Sequence, residues 1–465
     1  MKGALPEPIP SSFRDPAGFV FRQEGVIKRL VMEYGRLDHQ LFLSSGLEER
    51  LVRQGLIVEH RSEAVPGTKR DGIFSILVPR QIPFISYPYE WSFDELKDAA
   101  LLTLQVQEEA LACGMSLKDA TAFNVQFVGA KPIFIDLLSF EPDDGGPWVA
   151  YEQFCRHFLG PLLLMHHRDA TANRFLRTDL DGFPIGLVSR LLPWRTWLSP
   201  DTLVNVHLHA RSLVRDRGTA KGGAGSKKAG LKKNLLASLR SAVEGLRAPR
   251  AQGVWADYST HRPHYTDDAL DMKQRLVGDV LHSRQPKLVF DLGANNGIYS
   301  QLAAHTGCYC VAFDSDAGCV NHHYLSAKAR ASEVVLPLVM NFENPSPSAG
   351  FHLEERSSLA DRGPADLALV LALVHHLRLT VRVPFVRIAS FLAGLANSAL
   401  IEFVPLSDPM AQLLLRGRTG GMEDYTLTGF LEAFERYFVL SHQADLPGTS
   451  RSLWLASRKP SPERA

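Results

Sequence analysis

Cysteine is scarce in this sequence, and so is any excess of one charge. The five cysteines among 465 residues have no framework spacing, which favours a protein of the reducing cytoplasm over a secreted disulfide scaffold. Lysine and arginine number 51, against 50 aspartates and glutamates. The net charge is therefore close to zero and would not attract the chain to nucleic acid or to an anionic membrane, so we expect no nucleic-acid partner.

Long apolar runs are also lacking. The longest, residues 367–374, is far shorter than the ~20 residues that span a bilayer. The first six residues, MKGALP, do not provide the apolar stretch of a signal peptide. We therefore expect no transmembrane segment and a cytoplasmic location.

What is present is the composition of a globular protein, with 45% hydrophobic and 22% charged residues. At roughly 150 residues per domain, the length predicts two or three domains. Residues 211–250 contain eleven lysines and arginines but only two acids, Asp216 and Glu244. This segment contains a glycine-rich stretch at 218–226, typical of a flexible linker.

Helical spacing of apolar residues follows at 231–246, opposite a basic face. The preferred interpretation is a solvated linker helix, and attachment to a membrane surface or to nucleic acid is the alternative. We predict an α+β domain over 1–210, a basic linker and helix over 211–250, and a second domain over 251–465.

The second half alternates short apolar runs with helical patterns, which is typical of a parallel sheet covered on both faces. The runs are residues 287–290, 308–313, 334–340, 367–374, 400–404, 437–440 and 451–456. The last two lie close together without a helix between them and suit an antiparallel pair at the sheet edge. The prediction is a doubly wound, seven-stranded α/β domain.

The motif DLGANNG, residues 291–297, falls at the first strand-to-helix turn. Ligands of parallel sheets lie outside the carboxyl ends of the strands. A glycine such as Gly293 or Gly297 allows positive φ and close approach of a ligand. The spacing D-x-G-x-x-x-G differs from the dinucleotide pattern G-x-G-x-x-G. An acid such as Asp291 repels phosphate but favours a cationic amino-acid group, as in S-adenosylmethionine.

Two further polar residues end neighbouring strands. Asp314 ends the second run, where a carboxylate can accept hydrogen bonds from ribose hydroxyls. Asn341 follows the third, where an amide can bind an adenine edge. We predict Asp291, Gly293, Asn295, Gly297, Asp314 and Asn341 as cofactor-binding residues. The alternative for the glycine turn is a tight structural loop.

On these residues the region from about 252 to 458 resembles the class I S-adenosylmethionine-dependent methyltransferases. The resemblance rests on VFDLGANNG (289–297), Asp314 and LVHHL (373–377). It implies that the end of strand four faces the transferred methyl group. His375 or His376 would then deprotonate an oxygen or nitrogen nucleophile; the alternative is that the pair only shapes the pocket wall.

Other residues near this edge are weaker candidates. Aromatic residues at 255–258 and 264–265 precede a helix containing Lys273, and they would either cover the cofactor or form an ordinary packed lead-in. Glu402 ends strand five and Asp408 follows it, on the expected acceptor side, although most such acids are simply solvated.

In the first half, Asp119 and Asn124 stand in D-x-x-x-x-N, and Asp136 ends the next strand. This is similar to the catalytic loop and metal-binding aspartate of protein-kinase-like folds. Leu137 and Leu138 replace the usual Phe-Gly, the glycine-rich loop is incomplete, and Lys28 is a poor match for the phosphate lysine. The alternative is an α+β domain whose Asp119 and Asn124 bond to their own loop.

Histidine pairs at 166–167 and at 207 and 209 have no cysteine or carboxylate at ligand spacing, so we predict no metal site. The whole chain resembles the rhizobial NoeA family of nodulation proteins, through SYPYEWSFDELKDAALLTL (86–104), SLKDATAFNVQF (116–127), FIDLLSFE (134–141) and the glycine turn. That resemblance implies modification of a signalling molecule in host-specific nodulation.

The resulting expectation is a methyltransferase that uses S-adenosylmethionine on an unidentified small-molecule, saccharide, lipid or carrier-bound acceptor. Two alternatives stay open: a cofactor-binding scaffold or regulator that transfers nothing, and a kinase-like phosphotransferase. The sequence does not indicate an oligomeric state.

Overall fold

The computed structural model describes residues 6–63, 72–216, 228–249, 265–416, 420 and 422–460. Within them the chain divides into two compact units. The first comprises Met1–Val128, Pro132–Pro249 and Ser348–Arg356. The second comprises Gly129–Lys131, Arg250–Pro347 and Ser357–Ala465. The predicted glycine-rich stretch at 218–226 lies outside the described residues.

The strands of the first unit form one four-stranded sheet and two short ladders. They are β1 (Gly18–Gln23), β2 (Val26–Met32), β3 (His60–Glu63), β4 (Ile73–Pro79), β5 (Met115–Leu117), β6 (Val125–Val128), β7 (Lys131–Phe134) and β8 (Phe140–Pro142). The sheet is antiparallel in the order β1-β2-β4-β3, and β5 pairs with β8 and β6 with β7.

Helices fill the rest of the first unit. They are α1 (Arg36–Ser44), α2 (Leu47–Arg53), α3 (Phe93–Ala112), α4 (Tyr151–Phe154), α5 (Gly160–His167), α6 (Ile185–Leu191), α7 (Pro200–Thr202), α8 (His209–Asp216) and α9 (Lys228–Gly245). A capping box starts α3, because the Ser92 amide donates to the Glu95 carboxylate at 2.7 Å. The predicted linker helix is α9, and its Leu236, Leu239 and Val243 are buried within this unit.

The second unit contains one seven-stranded sheet. Its strands are β9 (Leu288–Leu292), β10 (Tyr309–Asp314), β11 (Val335–Val339), β12 (Ala365–Val370), β13 (Ala396–Phe403), β14 (Phe438–Asp445) and β15 (Ser452–Arg458). The order is β11-β10-β9-β12-β13-β15-β14, parallel from β11 to β13, with β15 antiparallel to both its neighbours. The predicted doubly wound sheet and its antiparallel edge pair are confirmed, and this order is that of the class I methyltransferase fold.

In the part of the second unit that the structure describes, six α-helices accompany this sheet. They are α10 (Asp267–Arg284), α11 (Ile298–His305), α12 (Ala317–Ala329), α13 (Phe385–Leu395), α14 (Pro409–Leu415) and α15 (Leu427–Phe434). Val277 and Leu281 of α10 join the buried core with Leu369 of β12 and Leu400 of β13. Strand order reverses between β9 and β12, so the crevice at their carboxyl ends is where a ligand of this fold should bind.

Among the described residues, none of the helices combines the length and the apolarity that a membrane crossing requires.

Candidate cofactor and acceptor site

The glycine turn joins β9 to α11 and is fixed by the neighbouring strand. The N–H groups of Gly293 and Ala294 both donate to the carbonyl oxygen of Phe313 in β10, at 2.8 and 2.9 Å. Gly293 and Gly297 have φ values of +82° and +80°, and Asn295 has +49°. The last value is unusual for a residue with a side chain and marks the turn as strained.

The two glycines of the turn have different surroundings. A Cβ at Gly293 would meet nothing closer than Leu373 Cδ1 at 4.0 Å, so this side of the turn borders open space. A Cβ at Gly297 would lie 2.1 Å from the His323 ring. The close packing of the His323 ring therefore explains why residue 297 is a glycine. At Gly293 there is room for a ligand.

Two acids lie beside the turn. Asp291 is buried and accepts a hydrogen bond from the Ser300 hydroxyl at 2.6 Å. Burial, with a contribution from the nearby Asp314, raises the pKa of Asp291 to about 6. The Asp314 carboxylate accepts the N–H groups of Asn295 at 2.8 Å and Asp316 at 2.9 Å. Burial also raises the pKa of Asp314.

The turn also contains an unused acceptor. Asn295 Oδ1 is buried and has no hydrogen-bond partner among the described residues, and such an atom is costly unless a ligand or water satisfies it. The Asn341 side chain instead accepts the N–H of Glu343 at 2.9 Å in its own turn after β11. Open space at Gly293, two acids and an orphaned acceptor suit the cationic amino-acid moiety and ribose of S-adenosylmethionine.

The predicted catalytic histidines follow β12, after a strained residue. Ala372 has φ +58°, a conformation that costs a residue with a Cβ about 1 to 2 kcal/mol. His375 is buried, its Nδ1 has no partner among the described residues, and its ring centroid is 4.3 Å from that of His376. Burial lowers the pKa of His375 well below its usual value and that of His376 to about 4. Both rings are therefore neutral at physiological pH.

Leu373 connects the two loops, because its Cδ1 is the nearest atom to the Gly293 position. The glycine turn and the histidine loop thus face one another at the carboxyl edge of β9 and β12. Each loop has a strained non-glycine residue, Asn295 in the turn and Ala372 before the histidines. Each also has a buried polar atom without a hydrogen-bond partner among the described residues, Asn295 Oδ1 in one and His375 Nδ1 in the other. Strain of this kind concentrates at binding and catalytic sites.

A buried ion network lies at the same edge and joins the weaker candidates Tyr265, Lys273, Glu402 and Asp408 to Arg451. Glu402 accepts hydrogen bonds from Lys273 Nζ at 2.7 Å and the Tyr265 hydroxyl at 2.5 Å. Arg451 donates to Asp408 at 2.7 and 3.0 Å. Both acids are therefore paired and not solvated, which leaves them poor candidates for contacting an acceptor.

Arg451 is the member that sequence reasoning missed, whereas Tyr265 belongs to the aromatic residues that were expected near the cofactor. Arg451 donates to the Tyr265 hydroxyl at 2.5 Å and closes the network. The available signal was an arginine at the start of a buried strand, where an unpaired charge would not be tolerated. The aromatic residues predicted at 255–258 and His264 lie outside the described residues.

In the first unit the three kinase-like residues come together in a different setting. Asp136 forms an ion pair with Arg29 at 3.0 Å and accepts the Ser139 hydroxyl at 2.7 Å. Asn124 donates to the same Ser139 oxygen at 3.3 Å. Burial raises the pKa of Asp119, and the nearby Asp136 adds to the rise. A guanidinium thus already neutralises one carboxylate of this loop.

Lys28, the weak candidate for a phosphate lysine, forms an ion pair with Glu63 at 2.6 Å. His207 is buried and bonds to Ser189 and Thr196 at 2.8 and 2.9 Å. Within the described ranges, no group of three or more His, Cys, Asp or Glu side chains has the arrangement of a metal site.

One known protein is similar along nearly the whole chain. Nodulation protein NoeA of Rhizobium meliloti (strain 1021) is 34% identical over 472 residues, which cover 98% of this chain and 97% of that protein. No protein-family profile matches the sequence.

Solved structures are similar only at a distance. The bifunctional kinase-methyltransferase WbdD is 17% identical, and the match covers 43% of this chain and 41% of WbdD, with a TM-score of 0.31. This chain thus spans less than half of WbdD. Magnesium protoporphyrin IX methyltransferase (ChlM) from Synechocystis PCC 6803, solved with bound SAH, is 14% identical over 56% of this chain and 99% of ChlM, with a TM-score of 0.30.

Proposed function

The chain belongs to the NoeA family of nodulation proteins, and from this premise we propose that it is an S-adenosylmethionine-dependent methyltransferase. The single observation that carries the proposal is the pair of facing loops at the carboxyl edge of β9 and β12. Both are strained, both contain a buried polar atom without a partner, and they border the open side of Gly293.

Asp291, Asp314 and the glycine turn would hold the cofactor. The carboxylates favour its cationic amino-acid end and its ribose hydroxyls, and Gly293 leaves the space that it requires. When bound, the cofactor supplies an electrophilic methyl group on a sulfonium. Because Asp291 has a pKa of about 6, it is mostly ionised at neutral pH and can attract that positive charge.

His375 would accept a proton from the acceptor group. Its Nδ1 is unused and its ring is neutral, so it can accept the proton that an acceptor hydroxyl or amine loses as the methyl transfers. A lowered pKa makes the imidazole a weak base, so the positioning of the two reactants provides much of the acceleration.

The proposed acceptor is a saccharide, lipid or carrier-bound intermediate, and the proposed role is modification of a signal in host-specific nodulation. The family assignment supports that role, since the similar protein is a nodulation protein. The first unit would select or present the acceptor.

A two-part experiment tests the proposal. Titration calorimetry with S-adenosylhomocysteine should show binding to the purified chain. Incubation with methyl-labelled cofactor and an extract of a NoeA-containing rhizobium should label a product that mass spectrometry finds one methylene heavier. His375→Gln should retain binding and lose labelling. Binding without any acceptor-dependent product would instead favour a scaffold, and no binding would refute the proposal.

A further inference from the structure

The segment from α6 to α8 in the first unit has polar side chains directed inward. Thr196, Asn205 and His207 are buried, and each forms hydrogen bonds. His207 bridges the hydroxyls of Ser189 and Thr196. Asn205 donates to the Asp201 carbonyl at 2.9 Å and accepts from the Tyr151 hydroxyl at 3.0 Å. These bonds hold the segment in one conformation.

Large apolar side chains of the same segment are directed outward. They are Leu191, 44% exposed, Trp194, 78%, Leu198, 74%, Val204, 52%, and Leu208, 45%. We call these five residues the apolar face. Val188, Leu192 and Val206 of the same segment are buried, so the five exposed side chains are apolar area beyond what the core of this segment uses. Because the inward bonds fix the segment, the exposure is built into the fold and is not a consequence of a loose loop.

The apolar face continues into a shallow cleft. Its lining includes Leu164, Phe175, Phe183 and Leu191, and its volume is about 420 Å³. Leu191 belongs to both the cleft and the apolar face, so the two meet at this residue. An exposed apolar patch of this kind marks an interaction site.

The charged side chains within residues 182–200 are positive, and Asp181 and Asp201 flank that stretch. Exposed Arg190 and Arg195 alternate with the apolar residues, and residues 182–200 include no aspartate or glutamate. Exposed Arg168 lies at the cleft and donates to the Leu191 carbonyl at 2.6 Å. Leucine and tryptophan flanked by arginines are the combination that inserts at the interface of a bilayer with anionic headgroups.

We propose that the apolar face is a membrane-docking surface for an anionic phospholipid bilayer. Trp194 and Leu198 enter the boundary between headgroups and acyl chains, and Arg190 and Arg195 pair with lipid phosphates. The chain associates peripherally, and the proposal does not depend on methyl transfer.

Flotation of the full chain with vesicles tests this inference. The wild type should float with vesicles of equal parts phosphatidylcholine and phosphatidylglycerol and much less with phosphatidylcholine alone. Trp194→Ser with Leu198→Ser should lower the bound fraction at least about tenfold, because two large apolar side chains would no longer be buried in the bilayer interface. Arg190→Gln and Arg195→Gln should each weaken binding to the anionic vesicles about fivefold.

Matched controls come from the same unit. Tyr34 and Leu37 are 77% and 71% exposed and lie outside the apolar face. Tyr34→Ser with Leu37→Ser removes similar apolar area and should leave flotation unchanged. Circular dichroism checks that every variant is folded.

Three outcomes would overturn the inference. One is a wild type that does not float with anionic vesicles. Another is flotation that the Trp194 and Leu198 changes leave intact. The third is a doubled mass in sedimentation velocity that those changes abolish, because the apolar face would then join two copies of the chain.

Discussion

Each unit of this protein has two acids close to one another, Asp291 and Asp314 in the second and Asp119 and Asp136 in the first, and the partners of those acids differ. In the second unit, Asp291 and Asp314 accept hydrogen bonds from a hydroxyl and from backbone N–H groups. In the first, Asp136 is held by the guanidinium of Arg29, which also pairs with Asp15 at 3.0 Å. Hydrogen bonds from neutral groups orient a carboxylate without cancelling its charge, whereas an ion pair cancels it.

The difference indicates which loop is prepared for a cationic ligand. The acids of the second unit keep raised pKa values because burial is not offset by a cation bonded to them. Perturbed groups of this kind are candidates for function. In the first unit burial also raises the pKa of Asp119, so the contrast concerns Asp136, whose pair with Arg29 contributes to the local structure instead. The predictions below test this contrast, starting with the largest expected effect.

Gly293→Arg should abolish binding of S-adenosylhomocysteine while the chain stays folded. The new side chain would enter the open space beside the turn, and we expect a loss of more than about 100-fold in affinity, measured by calorimetry. Gly307→Arg is the matched control, since Gly307 has φ +84° and nothing within 4 Å of its Cβ position. Unchanged affinity in Gly293→Arg would mean that the site lies elsewhere.

Asp291→Asn should weaken cofactor binding about 10- to 100-fold, because a hydrogen bond to a charged group contributes roughly 1.5 to 3 kcal/mol. In the wild type, affinity should rise between pH 5 and pH 7, as Asp291 ionises around its pKa of about 6. Calorimetry across this range should show a much flatter profile for the variant. The same pH profile in both proteins would contradict the role of Asp291.

The same substitution should affect stability in the opposite direction. Folding raises the pKa of Asp291 from 3.8 to about 6, so the ionised carboxylate favours the unfolded chain. The protonated carboxyl group stabilises the folded chain, and this contribution to stability is complete below pH 3.8 and is lost as the pH rises through 6. At neutral pH, urea denaturation should show Asp291→Asn more stable by up to about 3 kcal/mol. Equal stability would mean that the carboxylate is not desolvated.

Sequence patterns predicted the second unit well because its strands are buried on both faces. Val289, Leu367 and Leu400 are fully or almost fully buried, and such strands appear as continuous apolar runs that need no tertiary information. The predicted positions of Asp291, Asp314 and His375 follow from this topology, because the carboxyl ends of parallel strands meet at one edge.

The same patterns did not predict the contacts that fix side chains. Lys273, Glu402 and Arg451 are far apart in the sequence, and only the folded sheet brings their charges together. Likewise, no local signal indicates that Gly297 lies against His323 in α12. In the first unit, the D-x-x-x-x-N spacing is visible in the sequence, but the Arg29 that pairs with Asp136 is far upstream.

Gly297→Ala should lower the stability of the fold, whereas Gly293→Arg should lower the affinity for the cofactor. Its Cβ would overlap the His323 ring at 2.1 Å, and we expect a loss of about 2 to 3 kcal/mol from overpacking and the left-handed backbone. In a His323→Ala background the loss should fall to about 1 kcal/mol, and a double-mutant cycle by urea denaturation measures the coupling. A cycle without coupling would show that packing of His323 is not the reason for this glycine.

Asp136→Asn should have the smallest effect of these changes. Arg29 is 14% exposed and Asp136 17%, and Arg29 keeps Asp15 as a partner in the variant, so we expect a loss of about 1 kcal/mol. Binding of S-adenosylhomocysteine should not change. Because the guanidinium already neutralises Asp136, the wild type should show no magnesium-dependent ATP binding at millimolar concentration. ATP binding that Asp136→Ala removes would instead support a phosphotransferase in the first unit, and both acid-bearing loops would then be ligand sites.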